Sequence, residues 1–223
     1  MESGIAIRET RFAGVFSDSQ RIYTRNLTPG IRVYGERLIR INDEEYREWV
    51  AGRSKLAAYL KLGGNFFPFE RTTRVLYLGA ASGTTASHVS DLVIEGKVYC
   101  VEISPRSFRD LLFVCSSRKN MIPLLADASK PESYAMMIDK VDVVYQDIAQ
   151  RGQTSIFIKN MRTFNAKAGM IAIKARSEDV TRKPKEIYDE SIRKLESEGY
   201  EVADVIPLDP IEKDHAMIAV RGK

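Results

Sequence analysis

Arg74-Val75-Leu76-Tyr77-Leu78-Gly79-Ala80-Ala81-Ser82-Gly83-Thr84-Thr85 is the stretch that decides the fold of this chain. Val75 to Leu78 is a short run rich in β-formers that stops at Gly79, and Ala86 to Val93 carries helix-like apolar spacing. A buried strand, a glycine turn and a helix N-terminus together make a seat for a nucleotide-like ligand. Glycine lets the ligand approach the backbone, and free N–H groups point outward where the helix starts. The spacing is G-x-x-x-G. That is neither the dinucleotide G-x-G-x-x-G nor a P-loop, because no Lys follows Gly83.

The next apolar runs extend this reading. Lys97 to Val101 reads as a second strand and ends in Glu102, about 20 residues past the glycine turn, where a carboxylate accepts both hydroxyls of a ribose. Ile122 to Leu125 leads to Asp127, and Val141 to Tyr145 leads to Asp147. Any one of these acids alone reads as a solvated loop residue or a helix cap. Three in register place carboxylates along the carboxyl edge of one parallel sheet, where such folds bind ligands. The pattern points to a nucleoside cofactor.

Size and composition bound the alternatives. With 223 residues and 44% hydrophobic content the chain can bury a full core, as one main domain with a small extra module. A net charge of +4 and a pI near 9.0 fit an anionic partner without requiring one. Cys100 and Cys115 lack metal-ligand spacing and read as buried thiols of a reducing cytosol, so no metal site is expected. There is no N-terminal apolar segment of signal-peptide type and no bilayer-length run, so the expectation is a cytoplasmic protein without membrane association.

Along the chain, residues 1 to about 41 read as β-rich, with runs at Phe12–Phe16, Arg21–Thr24, Ile31–Tyr34 and Gly35–Ile41. Seven arginines make this module basic, a pattern that a charged outer sheet face accounts for. Asn42-Asp43-Glu44-Glu45 reads as a helix start, followed by Tyr46, Trp49 and Val50, which are expected to pack onto the larger domain. A second helix is predicted over Ser54–Leu62, stopped by Gly63-Gly64. The division adopted is a small β-rich module over residues 1–53 and an α/β domain over 54–223. In the latter, helices are predicted over Phe108–Arg118, Pro131–Lys140, Thr154–Ala166 and Lys183–Glu198, with a fifth strand at Met170–Lys174. The last two strands, Tyr200–Ile206 and Ala216–Val220, are joined by a linker too short for a parallel crossover, so they pair antiparallel. The fold class is α/β: a Rossmann-like, mostly parallel sheet closed by an antiparallel C-terminal strand, the layout of S-adenosylmethionine-dependent methyltransferases.

Here the residues become specific. L-G-A-A-S-G-T-T-A-S-H-V, V-E-I-S-P-R, L-A-D-A-S-K-P, V-D-V-V-Y-Q-D-I-A-Q, I-A-I-K-A-R-S-E-D-V and E-K-D-H-A-M, in order and with preserved spacing, closely resemble the fibrillarin family in its short archaeal form. The resemblance runs from about Gly30 to the C-terminus. It implies an S-adenosylmethionine-dependent RNA 2′-O-methyltransferase of box C/D guide ribonucleoproteins, acting on the ribose of ribosomal and transfer RNA. Carried over by position, it implies that Gly79, Ala80 and Gly83 form the loop, and that Thr84 and Thr85 contact the methionine end of the cofactor. Glu102 would take the ribose hydroxyls, Ile103 the adenine face, and Asp127 with Ala128 the adenine edge. Asp147, Ile148, Ala149 and Gln150 would line the methionyl side, and Lys55, Asp147, Lys174 and His215 would form the catalytic group. The family's more usual A-S-A-G is A-A-S-G here, and the aromatic often found after the ribose-binding Glu is Ile103. The implied partners are a Nop-family scaffold protein, an L7-type kink-turn-binding protein and box C/D guide RNA. No long basic run or aromatic platform is present to bind RNA tightly without them.

The chemistry explains such a set. A ribose hydroxyl is a poor nucleophile at neutral pH and must lose or share its proton as attack begins. A sulfonium methyl donor is already reactive, so in-line positioning does much of the work. Lysine serves as a base only where burial or nearby cations favour its neutral form. By themselves Lys174 and His215 read as ordinary surface residues, and the resemblance is what gives them roles. His88 reads as structural. Asp147-Ile148-Ala149-Gln150 differs from the N/D-P-P-aromatic turn typical of enzymes that methylate base amines. Three other readings remain at this stage: a nicotinamide dehydrogenase, a methyltransferase acting on a protein side chain, and a non-catalytic RNA-assembly subunit.

Overall fold

The computed structural model describes residues 7–222, so the first six residues of the stretch read as β-rich lie outside the described part. Five short strands form an antiparallel sheet: β1 (Arg8–Glu9), β2 (Val15–Ser17), β3 (Ile22–Arg25), β4 (Leu38–Ile41) and β5 (Glu44–Glu48), in the order β1-β2-β3-β5-β4. Three expectations are corrected here. Asn42 adopts φ +55°, which asparagine tolerates, and turns the chain into a β4–β5 hairpin instead of starting a helix. Glu44 to Glu48 is held as a strand by pairing on both edges, a tertiary constraint that outweighs its helix-like composition. Ile31–Tyr34 joins no ladder, because the Glu36 carboxylate accepts the N–H groups of Val33 and Tyr34 and folds the segment into a loop. Tyr46 packs edge-on against Phe16 within its own sheet, whereas Trp49 reaches the larger layer and stacks on His88.

The α/β part begins with α1 (Lys55–Lys61), whose N-cap Ser54 accepts the Ala57 N–H. Then follow β6 (Arg74–Leu78), α2 (Thr84–Leu92), β7 (Lys97–Glu102), α3 (Pro105–Ser116), β8 (Met121–Leu125), β9 (Val143–Gln146), α4 (Gln153–Thr163), β10 (Ala168–Lys174), α5 (Ala175–Glu178), α6 (Pro184–Ser197), β11 (Glu201–Pro207) and β12 (His215–Arg221). The sheet order is β11-β12-β10-β9-β6-β7-β8, with β6 to β10 parallel and β12 antiparallel to both β10 and β11. Between β8 and β9 the predicted helix is instead two single 3-10 turns, Pro131–Ser133 and Ala135–Met137. Tyr134 between them is buried and donates its hydroxyl to Asn160 Oδ1 of α4, fixing the segment against that helix.

Strand alternation builds two cores. Val75, Tyr77, Val98, Cys100 and Tyr145 face α1, α2 and α3, while Leu76, Leu78, Tyr99, Val101 and Val144 face α4 and α6. The first core also takes in Val15 and Trp49, so the small sheet is continuous with it. At that junction lies a buried polar cluster. Arg47 pairs with Glu36 at 2.9 Å and Asp91 at 3.5 Å, Arg118 pairs with Asp91 at 2.5 Å, and Thr24 Oγ1 lies 2.7 Å from His88 Nδ1. Buried charges of this kind are tolerable only when paired.

Candidate functional site

The parallel strands point their carboxyl ends to one edge, and the order reverses on either side of β6, which opens a crevice there. Gly79 turns out of β6 at φ +81°, and a Cβ at this position would stand 2.4 Å from the Asp147 carbonyl oxygen. Only glycine lets the two strand ends come this close. The N–H groups of Gly79 and Ala80 both donate to Val101 O, at 2.9 and 3.1 Å, tying the loop to β7. Gly83, at φ +90°, caps α2 and packs against α3, where a Cβ would meet Leu111 at 3.2 Å.

Glu102 is 8% exposed, and each of its carboxylate oxygens takes one backbone N–H: Oε2 from Ala81 at 2.8 Å and Oε1 from Ser104 at 2.7 Å. Those bonds fix the carboxylate and leave a lone pair on each oxygen for two adjacent hydroxyls. Asp127 accepts the Ser129 hydroxyl at 2.7 Å and the Ser129 N–H at 2.9 Å on one oxygen. The side-chain bond first, then the backbone bond, hold its carboxyl below the usual carboxylate range. Its other oxygen lies 3.9 Å from Lys130 Nζ, beyond hydrogen-bond reach, and stays open to a donor at the rim.

Together these groups enclose a cavity of roughly 310 Å³, within the size range of small-ligand sites. Of the residues expected at a cofactor, Gly79, Glu102, Ile103, Asp127, Ala128, Asp147, Ile148, Ala149 and Gln150 line it, as does Lys174. Ala80, Gly83, Thr84 and Thr85 are not among its lining residues. Thr85 is buried, and its hydroxyl donates to Ser54 Oγ at 2.9 Å, the same oxygen that accepts Trp49 Nε1. The structure thus spends that hydroxyl on the α1 cap. Ile103 is 59% exposed and forms an open apolar wall. Val101, Ala81 and Ala126 also line the cavity and were not singled out by sequence. Small and aliphatic residues at strand ends carry no chemical signal of their own.

At one end of the cavity Asp147 stands between two lysines. Lys55 Nζ, from the first turn of α1, donates to Asp147 Oδ2 at 3.2 Å, and Lys174 Nζ, from the end of β10, pairs with Oδ1 at 2.9 Å. All three side chains are only 15–17% exposed, so the pairs are partly desolvated and less screened than surface ion pairs. His215 opens β12 directly opposite Lys174 in the antiparallel register. Its Nδ1 lies 2.6 Å from the Lys213 carbonyl oxygen, which only accepts, so Nδ1 carries a proton and Nε2 is the nitrogen left to receive one. The structure therefore brings Lys55, Asp147 and Lys174 into contact and sets His215 one strand away, beside Lys174. Ser54 was read only as the start of a helix, and Gln153, the buried residue that holds the end of Lys174's strand, was passed over, being a polar residue at a helix start with no pattern to mark it.

Comparison with known proteins adds the family. The fibrillarin family model matches residues 7–223. The fibrillarin-like rRNA/tRNA 2′-O-methyltransferase of Methanothermobacter thermautotrophicus is 51% identical over 97% of this chain and 98% of its own length. A solved structure of Aeropyrum pernix fibrillarin in complex with natively bound S-adenosyl-L-methionine superposes with a TM-score of 0.88 at 48% identity, covering 97% of this chain and 98% of that one. The fibrillarin chain of a fibrillarin/Nop5p complex superposes with a TM-score of 0.86 at 39% identity, covering 94% and 98%.

Proposed function

The chain belongs to the fibrillarin family, and from that premise we propose that it is an S-adenosylmethionine-dependent RNA methyltransferase that modifies the ribose 2′-hydroxyl of rRNA and tRNA. In this reading it is the catalytic subunit of a box C/D guide ribonucleoprotein. One observation carries the proposal: a carboxylate held between two lysines at the end of a nucleoside-sized cavity, with a preorganised second carboxylate in the same cavity.

The residues fit the cofactor. Glu102 has two fixed oxygens for a ribose diol, Ile103 and Ile148 supply apolar walls for a base, and Asp127 keeps one oxygen for its edge. When bound, the cofactor supplies an electrophilic methyl on a sulfonium sulfur. The protein's own residues do the rest. Asp147 holds the Lys55 ammonium and the Lys174 amino group at the point where the methyl acceptor must arrive, which orients the hydroxyl and favours a partly deprotonated oxygen. In this reading Lys174, in its neutral amine form at the cavity wall, takes the hydroxyl proton, and His215, opposite it on β12, passes that proton on from the resulting ammonium.

Target choice in this reading comes from partners: a Nop-family scaffold, as in the solved fibrillarin/Nop5p complex, with an L7-type kink-turn-binding protein and the guide RNA. The test is transfer of labelled methyl to a guide-matched RNA. Transfer by the full assembly and none by the chain alone is the expected result; tight cofactor binding with no transfer in the assembly would overturn it and leave a scaffold role.

A further inference from the structure

β9 ends at Gln146, opposite Ile171, but β10 runs on to Lys174. On its other edge β10 keeps its partner, with Lys174 opposite His215 of β12. The Ala175 N–H donates to Asp214 O at 3.1 Å, so the neighbouring pair is the hydrogen-bonded one and Lys174–His215 is the non-bonded one. The backbone N–H and C=O of Lys174 therefore face away from β12, toward the space where β9 has stopped.

Gln153, fully buried at the start of α4, fills that space. Its Oε1 accepts the Lys174 N–H at 2.9 Å and its Nε2 donates to Lys174 O at 3.1 Å. Its own carbonyl accepts Gln146 Nε2 at 2.8 Å, and Gln146 is the buried residue immediately before Asp147. Glu178 completes the arrangement by accepting the N–H groups of Gly152 and Gln153, at 2.8 and 2.7 Å. Gln153 is not among the residues lining the cavity.

We propose that Gln153 is a positioning residue: its side-chain amide replaces the missing strand beside Lys174 and ties the backbone of Lys174 to the residue that carries Asp147. The proposal rests on the catalytic reading given above. Without the amide, the Lys174 N–H and C=O would be a partly buried donor and acceptor with no protein partner, and the end of β10 would be free to shift. A displacement of about 1 Å at a reacting group is enough to cost on the order of 100-fold in rate.

The test compares wild type, Gln153→Met, Glu178→Gln and Thr154→Val in the assembled particle with guide RNA. Gln153→Met keeps length and burial while deleting both bonds to Lys174. Glu178→Gln weakens the hold on the Gln153 backbone and serves where the first variant does not fold. Thr154→Val removes a buried hydrogen bond of the same helix, to Ser191, without touching Lys174. The expected result is a fall in kcat of about tenfold or more for Gln153→Met and a smaller fall for Glu178→Gln. RNA KM and affinity for S-adenosylhomocysteine stay within about twofold, and Thr154→Val keeps wild-type kcat. Unchanged kcat in both Gln153→Met and Glu178→Gln, or a parallel loss of kcat, RNA affinity and cofactor affinity, overturns the positioning role. Absence of transfer by the wild-type particle overturns the functional reading itself, and is a separate outcome.

Discussion

Asp147 Oδ1 stands 2.9 Å from Lys174 Nζ, with Asp147 just past the end of β9 and Lys174 closing the neighbouring parallel strand. The same carboxylate holds Lys55 through its other oxygen, so a single side chain organises two cations. Asp147→Asn keeps the shape and removes the charge. The expected effect is a loss of methyl transfer of roughly 100-fold or more, the usual scale for a group that steers proton transfer, with S-adenosylhomocysteine binding reduced far less. Single-turnover rates beside calorimetric binding measure both. Lys174→Arg separates two roles of the lysine: arginine keeps the cation but stays protonated, so activity near wild type would remove Lys174 as the base.

Glu102→Gln tests the cavity's other carboxylate. The two backbone N–H groups that hold it were arranged for an anion, and hydrogen bonds to a charged acceptor contribute about 1.5–3 kcal/mol. Affinity for S-adenosylhomocysteine should fall by at least about tenfold, read by calorimetry. Unchanged affinity would show that the ribose lies elsewhere.

Two glycines with left-handed backbone give a matched pair. At Gly63, φ +92°, nothing lies within 4 Å of an added Cβ, so Gly63→Ala should cost only the backbone term of about 1–2 kcal/mol and leave activity intact. At Gly79, φ +81°, the Cβ would press on the Asp147 carbonyl at 2.4 Å. Gly79→Ala should therefore abolish transfer, with thermal unfolding reporting how much of that loss is global.

His88 predicts a pH effect away from the site. Burial first, then Arg47 and Arg118, hold its ring well below the ordinary histidine range, although Asp91 lies 3.9 Å away. The unfolded chain takes up a proton near pH 6.5 and the folded one refuses it, so this stabilising contribution is complete above about pH 6.5 and is lost as pH falls below it. The melting temperature of wild type should drop between roughly pH 6.5 and 5 more steeply than that of His88→Gln. Equal slopes would contradict the assignment.

Much of the sheet was legible because its strands are buried on both faces and read as short apolar runs, each leading toward a glycine or an acid. Ser54 and Gly63-Gly64 bounded a predicted helix, and α1 runs between them. The small sheet was harder. Glu44 to Glu48 forms a strand through pairing on both sides, and Ile31–Tyr34 lost its strand to a carboxylate from Glu36, neither of which local sequence displays. At the site, Asp147 and Glu102 stood out as acids after strands. Lys55 and Lys174 are 119 positions apart, and only the family resemblance placed them at one carboxylate, where the structure finds them. Thr85 shows the opposite case: it matched a motif, yet its hydroxyl serves the α1 cap. Gln153 carried no signal because its importance lies in where one strand stops and its neighbour continues.

The most direct measurement is methyl transfer by the complete guided assembly to two target RNAs that differ only in one atom, the 2′-oxygen of the guide-selected nucleotide. Labelled methyl is expected on the ribose of the normal target and none on the 2′-deoxy target, with cofactor binding the same in both. Equal labelling of the two RNAs, or label on a base or on protein, would contradict it.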